Sequence, residues 1–313
     1  MTDETLGTGG PSTGQALAGN LGRVGIWSPQ LQWQPASRVP ACLAELEELG
    51  FHCVWIGEAS GKEVMTHAGL LLAGSRRITV ATGIASIWAR DPMAMANGGR
   101  TLEEAYPGRF VLGLGVSHPF LNEQRALEYA SPLAHMRDYL DQMDGAPYAG
   151  PPASLPPRLL GALGPKMLEL ARDRTAGAHP YFVPVEHTRR AREVLGPSPL
   201  LAPEQAVVFE TDPERAREIA RRYTNTYLPL ASYRANLRRL GVQESDQVDG
   251  GSDRLVDMLV AWGGPDRIIE RIQAHIDAGA DHVAVRILAE DPRTWPTREL
   301  RLLAASAPVR PRG

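Results

Sequence analysis

Short runs of apolar residues, many of them β-branched, alternate with longer amphipathic stretches from residue 22 almost to the end of the chain. Such runs are typical of buried strands, whereas apolar residues at three- and four-residue steps are typical of helices that bury one face. Because helical pattern separates each strand from the next, we expect βα units and a parallel sheet. The pattern predicts eight strands, at residues 23–27, 52–58, 78–86, 110–117, 158–164, 178–183, 200–210 and 281–288.

Eight successive units favour a closed (β/α)8 TIM barrel, an α/β fold of about 250 residues. An open doubly wound sheet has the same local pattern, so this alternative stays open. The remaining residues are expected to form an insertion at 225–265, before the last strand. We expect a single domain over 21–300, a disordered N-terminal tail at 1–20 that is rich in Gly, Thr and Ser, and a C-terminal tail at 301–313.

Composition narrows the classes of function. The chain of 313 residues is 43% hydrophobic and 22% charged, which is ordinary for a soluble, cytoplasmic protein. Its formal net charge of −3 gives no general attraction to nucleic acid or acidic membranes, and no apolar run reaches the ~20 residues of a membrane helix. We therefore expect a small-molecule substrate. Cys42 and Cys53 are expected to be buried and reduced, since their spacing fits neither zinc nor a disulfide scaffold.

Polar side chains stand near the C-terminal ends of several predicted strands, where barrel enzymes place their active sites. Glu58 ends the second strand, His118 ends the fourth, and His179 lies on the sixth with Tyr181 two residues on. The last strand carries Arg286. Each candidate has a structural alternative: a helix cap or an ion pair for the glutamate, and a loop or packing role for the histidines. Glu58, His118 and His179 are the candidate catalytic residues.

Two further features suit a flat, anionic ligand. Gly113 and Gly115 share one face of the fourth strand, where they leave room for a broad ligand or let a helix pack closely. The segment GALGPKM, residues 161–167, places Pro165 at a helix start, where backbone N–H groups can bind phosphate. Lys166, one of two lysines, adds positive charge. The Arg-rich run YRANLRRLG is interpreted instead as a solvated helix face.

Three segments are similar to the luciferase-like flavin and deazaflavin oxidoreductases, particularly the actinobacterial branch that uses coenzyme F420: ELGFHCVWIGE, RITVATGIASIWARDPMAMA and YPGRFVLGLGVSHP. The resemblance covers about residues 22–290, and GADHVAVRIL is similar to the family's last strand. It implies a bacterial luciferase-like TIM barrel with the cofactor ring across its mouth. It also implies a non-proline cis peptide at Gly83–Ile84 and a homodimer.

By position, the resemblance implies cofactor contacts from Glu58, Gly83, Ile84, Val116, Ser117 and His118, and phosphate contacts from Leu163, Gly164 and Lys166. Two positions depart from the family pattern. Ala59 stands where several deazaflavin relatives have His, and His118 stands where some have Glu. The family's acid–base scheme therefore cannot be transferred to this chain.

The resulting hypothesis is an F420-dependent oxidoreductase that transfers hydride between the cofactor and an organic substrate, without a metal. An FMN-dependent luciferase-like monooxygenase is the nearest alternative, and a non-catalytic flavin-binding or carrier protein is another. A metal hydrolase that uses His118, His179 and Glu58 is a weaker hypothesis, because the chain lacks a compact ligand motif.

Overall fold

The computed structural model describes residues 13–307. The strands in this range are β1 (Val24–Trp27), β2 (Cys53–Ile56), β3 (Thr79–Thr82), β4 (Ala85–Ser86), β5 (Phe110–Gly115), β6 (Arg158–Leu160), β7 (Gly177–Ala178), β8 (Leu200–Leu201), β9 (Glu204–Val208), β10 (Val260–Trp262) and β11 (Val283–Ile287).

The α-helices in the same range are α1 (Thr13–Leu21), α2 (Gln30–Trp33), α3 (Val39–Glu48), α4 (Val64–Ala73), α5 (Pro92–Ala105), α6 (Pro119–Glu123), α7 (Pro132–Asp144), α8 (Pro165–Arg174), α9 (Val185–Leu195), α10 (Pro213–Tyr227), α11 (Ala231–Arg239), α12 (Asp253–Leu259), α13 (Pro265–Asp277) and α14 (Thr297–Ser306). Short 3-10 turns lie at Ala36–Arg38 and Glu244–Gln247. No helix of residues 13–307 is both long and apolar enough to cross a membrane.

The strands pair in parallel and form one curled sheet, in the order β10-β9-β11-β1-β2-β3-β5-β6-β7-β8, with β4 beside β5. The N–H of Ala202 donates to the carbonyl of Ala178 at 2.9 Å, and the N–H of Ala284 donates to the carbonyl of Pro203 at 2.9 Å. The segment between β8 and β9 is thus bonded to strands from both ends of the series. The predicted α/β class and parallel sheet are confirmed.

The predicted strand at 200–210 is two strands, β8 and β9, separated at Pro203. Proline has no N–H to donate to a ladder, so the run cannot continue regular pairing through this residue. The strand β10 was not predicted. It lies in the segment 225–265 together with α11 and α12, and it pairs with β9 through Val260 and Ala206. That this segment is an insertion stays a prediction.

Both predicted tails are partly wrong. Residues 13–20 belong to α1, and its Leu17 and Leu21 are buried in one cluster with Trp55 and Leu200 of the sheet. The two leucines are four residues apart on one helix face, a signal that the polar composition of the segment hid. At the other end, α14 continues to Ser306 and buries Leu303. Residues 1–12 and 308–313 lie outside the described range.

The glycines of β5 bring strands together rather than leaving room for a ligand or a helix. A Cβ atom on Gly113 would lie 1.9 Å from the carbonyl oxygen of Thr82, and one on Gly115 would lie 2.5 Å from Cγ1 of Ile84. Both distances are shorter than real Cβ contacts allow, so the expectation of open space here is wrong. The two cysteines, Cys42 and Cys53, are free and buried as predicted.

Candidate functional site

The site is built around the break between β3 and β4. The peptide Gly83–Ile84 at this break is cis, which confirms the geometry that the family resemblance implied. Two backbone hydrogen bonds fix the break to the end of β2: the N–H of Gly83 donates to Ile56 at 2.7 Å, and the N–H of Glu58 donates to Ile84 at 3.1 Å. The break is therefore an ordered part of the sheet.

The side chain of Ile84 lies over two glycines. A Cβ atom on Gly115 would meet Ile84 at 2.5 Å, and one on Gly161 would lie 3.1 Å from its Cγ2. Ile84 itself is only partly buried. The glycines therefore seat a branched apolar side chain that keeps part of its surface accessible.

Glu58 is engaged in a buried ion pair. Its side chain is 2% exposed and pairs with both terminal nitrogens of Arg90, whose side chain is 12% exposed. The same carboxylate accepts a hydrogen bond from the N–H of Ser86 at 2.7 Å, which fixes β4. Both carboxylate oxygens are engaged in these contacts, so Glu58 lies in an ion pair that also fixes β4. This is the structural alternative that the sequence left open.

His179 lies beneath Gly83 and is 1% exposed. Its Nδ1 donates to the carbonyl of Ala202 at 2.7 Å, and its ring stacks on Trp55 with a centroid distance of 4.3 Å. Its Nε2 is buried without a hydrogen-bond partner. Burial lowers the pKa of His179 to about 4, so the ring is neutral. Because a substrate cannot reach it directly, His179 is a support for the break.

His118 is the accessible member of the three catalytic candidates. It precedes the short helix α6 as its N-cap residue, with Pro119 at the first helical position. Its ring is partly exposed and lies against Tyr233, at a centroid distance of 5.4 Å. Burial lowers the pKa of His118 to about 4. The imidazole is therefore neutral at pH 7, and one of its ring nitrogens can accept a hydrogen bond there.

The two residues before His118 hold the turn in place. The carbonyl of Val116 accepts a hydrogen bond from Nε1 of Trp88 at 2.9 Å, and Ser117 has a φ of 54°. A positive φ is rare for a residue other than glycine, so this turn is a constrained connection between β5 and α6. Val116 and Ser117 are both partly exposed beside the histidine.

A second part of the site lies at the N-terminus of α8. Gly164 is the N-cap residue, and no side chain caps this helix. A Cβ atom on Gly164 would lie 3.6 Å from Nη2 of Arg239. In the described part of the chain, no carboxylate pairs with Arg239 within 4.0 Å, whereas Lys166 is exposed on the first turn. Helix N–H groups beside a guanidinium are suited to binding an anion.

The loop before α8 joins the two parts. Gly161 lies beside Ile84 and Gly164 caps the helix, so only two residues of the chain lie between the glycine at the break and the N-cap of α8. The span from Gly161 to Gly164 is at most about 10 Å along an extended chain. The carbonyl of Leu163 accepts a hydrogen bond from Nε2 of the buried His187 at 2.9 Å, which holds the loop.

The contribution of α11 was not predicted from the sequence. This helix places Tyr233 against His118 and Arg239 beside Gly164. Its run YRANLRRLG was interpreted as a solvated face, but Tyr233 and Leu237 are buried. Their four-residue spacing was the signal of a buried face. The sequence carried no signal for which loop the helix would cover.

The three catalytic candidates do not converge on one point. Glu58 faces Arg90, His179 lies beneath Gly83, and His118 faces Tyr233. Within residues 13–307, no group of His, Cys, Asp or Glu side chains is arranged to hold a metal ion. This arrangement does not support the hydrolase alternative.

The role of Glu58 can be tested by its removal. Glu58→Gln leaves Arg90 partly buried with only one carboxylate, so we expect a loss of about 2–3 kcal/mol in the free energy of unfolding. Glu63→Gln is the matched control, because Glu63 pairs with the same arginine but is 47% exposed, and its loss should be below about 1 kcal/mol. Urea denaturation measures both. Equal losses would contradict a positioning role for Glu58.

The protonation of His118 can be followed by NMR. A pKa lowered from 6.5 to about 4 means that its ring should stay neutral down to about pH 5. Since the folded pKa lies below the unfolded one, this residue contributes stability that is complete above pH 6.5 and is lost as the pH falls toward 4. The resonance is assigned by its absence in His118→Gln. A midpoint of 6 or above would show that the ring is not desolvated.

Comparison with known proteins agrees with this geometry. A family model described as luciferase-like monooxygenase matches residues 14–282. A protein of Mycobacterium tuberculosis, provisionally named a coenzyme F420-dependent oxidoreductase, is 29% identical over 192 residues, which cover 51% of this chain and 54% of that protein. The 5,10-methylenetetrahydromethanopterin reductase of Archaeoglobus fulgidus is 25% identical over 291 residues, which cover 76% of this chain and 85% of the reductase.

Among solved structures, an F420-dependent secondary alcohol dehydrogenase in complex with an F420–acetone adduct has a TM-score of 0.71. The match covers 92% of this chain and 98% of the dehydrogenase at 14% identity. At this identity the likeness shows a shared fold, while the family match spans most of the chain. The chain is therefore an enzyme of the luciferase-like monooxygenase family.

Proposed function

We propose that this enzyme is an F420-dependent oxidoreductase that transfers hydride between the deazaflavin cofactor and an organic substrate. The observation that carries the proposal is the pairing of the break at Gly83–Ile84 with a positively charged helix N-terminus, three residues beyond Gly161. A ring with a phosphate-bearing side chain fits such a pair of sites. The F420-dependent relative and structural neighbour support F420 as the cofactor.

The residues present fit the cofactor at both ends. Ile84 and the Gly83 peptide would lie beneath the ring, with Val116, Ser117 and His118 along one edge. Gly164, Arg239 and Lys166 would hold the phosphate through N–H groups and positive charge. When bound, the deazaflavin supplies or accepts the hydride, and the protein binds, orients and excludes water.

His118 is the residue that we assign to proton transfer. Its neutral ring nitrogen can accept the proton of a substrate hydroxyl when the adjacent carbon is oxidised, or return it in the reverse direction. Tyr233 packs against the ring and restricts its orientation. Glu58 and His179 act through the break and do not touch the substrate.

We also propose that the curled sheet closes as a (β/α)8 barrel, with β10 as an added strand in an insertion at 225–265. The bonds of Ala202 and Pro203 to strands from both ends of the series support this closure. It would place the break and the start of α8 at one mouth, as in other barrel enzymes.

The proposal can be tested by titrating the protein with F420, with the deazaflavin riboside that lacks the phosphate-linked tail, and with FMN. Arg239→Met should weaken F420 binding by at least about tenfold, because a charge-assisted bond to phosphate is lost. The same variant should leave the riboside affinity unchanged. Arg238→Met is the control, since Arg238 is exposed and pairs with Glu244.

Lys166→Ala should lower the affinity for F420 by less than Arg239→Met does. It should also make this affinity less dependent on salt concentration. Equal effects of Arg239→Met on F420 and on the riboside would show that the phosphate lies elsewhere. Tight FMN binding without F420 binding would favour the monooxygenase alternative, and binding of either cofactor without any turnover would favour a carrier.

A further inference from the structure

Arg286 lies on β11 and is enclosed by aromatic rings. Its guanidinium carbon is 4.8 Å from the ring centroid of Trp27, 4.8 Å from that of Tyr223 and 6.0 Å from that of Tyr181. Its Nη1 donates to the hydroxyl of Tyr181 and, at 3.1 Å, to the hydroxyl of Tyr227. The charge is thus held in a fixed position within the site region.

This guanidinium has no carboxylate partner. Within residues 13–307, no Asp or Glu oxygen lies within 4.0 Å of Arg286, whereas the partly buried Arg90 and Arg192 both pair with acidic groups. Its Nε is buried and has no hydrogen-bond acceptor. Arg286 is only partly buried, so its charge, which no carboxylate within 4.0 Å neutralises, is suited to an anion from outside the chain.

Glu204 is the buried acidic group of this region, but it is already engaged. Its oxygens accept hydrogen bonds from the hydroxyl of Tyr223 at 3.0 and 3.1 Å and from the N–H of Phe182 at 3.2 Å. Burial raises the pKa of Glu204 to about 7. Arg286 acts in the opposite direction and lowers the pKa of Glu204, so the two groups attract each other, although they form no ion pair within 4.0 Å.

The hydroxyl groups of Tyr181 and Tyr227 provide a second hydrogen-bond donor without an acceptor, in addition to Nε of Arg286. Tyr181 and Tyr227 share one hydrogen bond at 2.9 Å, and both oxygens also accept from Arg286. The two hydroxyl groups carry two protons, and the hydrogen bond between the groups uses one of these protons. The other has no acceptor in the described chain. The cluster consequently offers a hydroxyl proton, beside the positive charge of the guanidinium, to an oxygen that carries negative charge.

Trp27 links this cluster to the break. Its Nε1 donates to the carbonyl of Gly83 at 3.2 Å, and its other contacts include Arg286 and the ring of Tyr181 at 5.3 Å. One indole thus separates the guanidinium from Gly83. A ligand held by Arg286 would lie next to the proposed ring site, where a substrate must be.

We propose that Arg286, together with Tyr181 and Tyr227, binds a carboxylate group of the substrate, so that the enzyme acts on organic acids rather than on neutral compounds. That the bound acid is a substrate rests on the proposed function. Binding of its carboxylate to Arg286 does not require the cofactor. Arg286 acts as an anchor and takes no part in proton transfer.

The experiment uses benzoate and its neutral counterpart benzamide as probes of the full-length protein without cofactor, with calorimetry as the measurement. Benzoate should bind at least about tenfold more tightly than benzamide. Arg286→Met should remove this preference, Tyr227→Phe should reduce it, and Arg286→Lys should retain part of it. Arg298→Met is the control for net charge, because Arg298 is 74% exposed. Thermal unfolding verifies that each variant is folded.

Equal binding of the two probes, no detectable benzoate binding, or an unchanged preference in folded Arg286→Met would overturn the proposal. If Arg239→Met removes the preference instead, benzoate occupies the anion site at α8 and the proposal is wrong. If Arg286→Met fails to fold, Tyr227→Phe and Arg286→Lys test the proposal instead. An unchanged preference for benzoate over benzamide in both folded variants would then overturn it. Because no cofactor is present, failure of F420 binding would leave these results unaffected.

Discussion

The carbonyl oxygen of Thr82 lies so close to β5 that residue 113 cannot carry a side chain. This contact brings the end of β3 against β5, and Gly115 extends it by receiving Ile84. Interiors are packed closely enough that an added methyl group at such a contact must displace backbone. The position of the break at Gly83–Ile84, and of everything that rests on it, depends on these two glycines.

Other residues then hold the break from several sides. Glu58 and Arg90 fix β4 through Ser86, while Trp27 donates to Gly83 and His179 lies below it. These side chains are buried or nearly so, and their hydrogen bonds are directed at backbone or at one another. The charged and histidine side chains around the break therefore mainly hold the backbone in place. A site that positions a cofactor ring requires such a rigid support.

Positive charge is concentrated locally although the chain is acidic overall. Arg239 lies beside the N-terminus of α8 and Arg286 lies among aromatic rings, and in the described chain neither has a carboxylate within 4.0 Å. These two separate positive charges suit the proposed phosphate-bearing cofactor and the proposed acidic substrate. His118 lies against Tyr233 of α11, the helix that also carries Arg239.

The local pattern of hydrophobic residues was sufficient to predict the alternation of strands and helices, because the two kinds of element have different periods and recur along the chain. The cis peptide at Gly83–Ile84 followed from the resemblance and not from composition. Arg239 could not be found in this way, since its contact with Gly164 joins residues 75 positions apart. The role of Glu58 depended equally on a distant partner, Arg90. The apolar content of residues 200–210 predicted one strand, whereas the structure has two strands, β8 and β9, separated at Pro203.

If one ligand spans the break and the start of α8, a crystal structure of the protein with F420 will show it. We expect electron density for the ring against Ile84 and for the phosphate within hydrogen-bond distance of Arg239 and the N–H groups after Gly164. A ring bound away from Ile84, or a phosphate remote from α8, would contradict it.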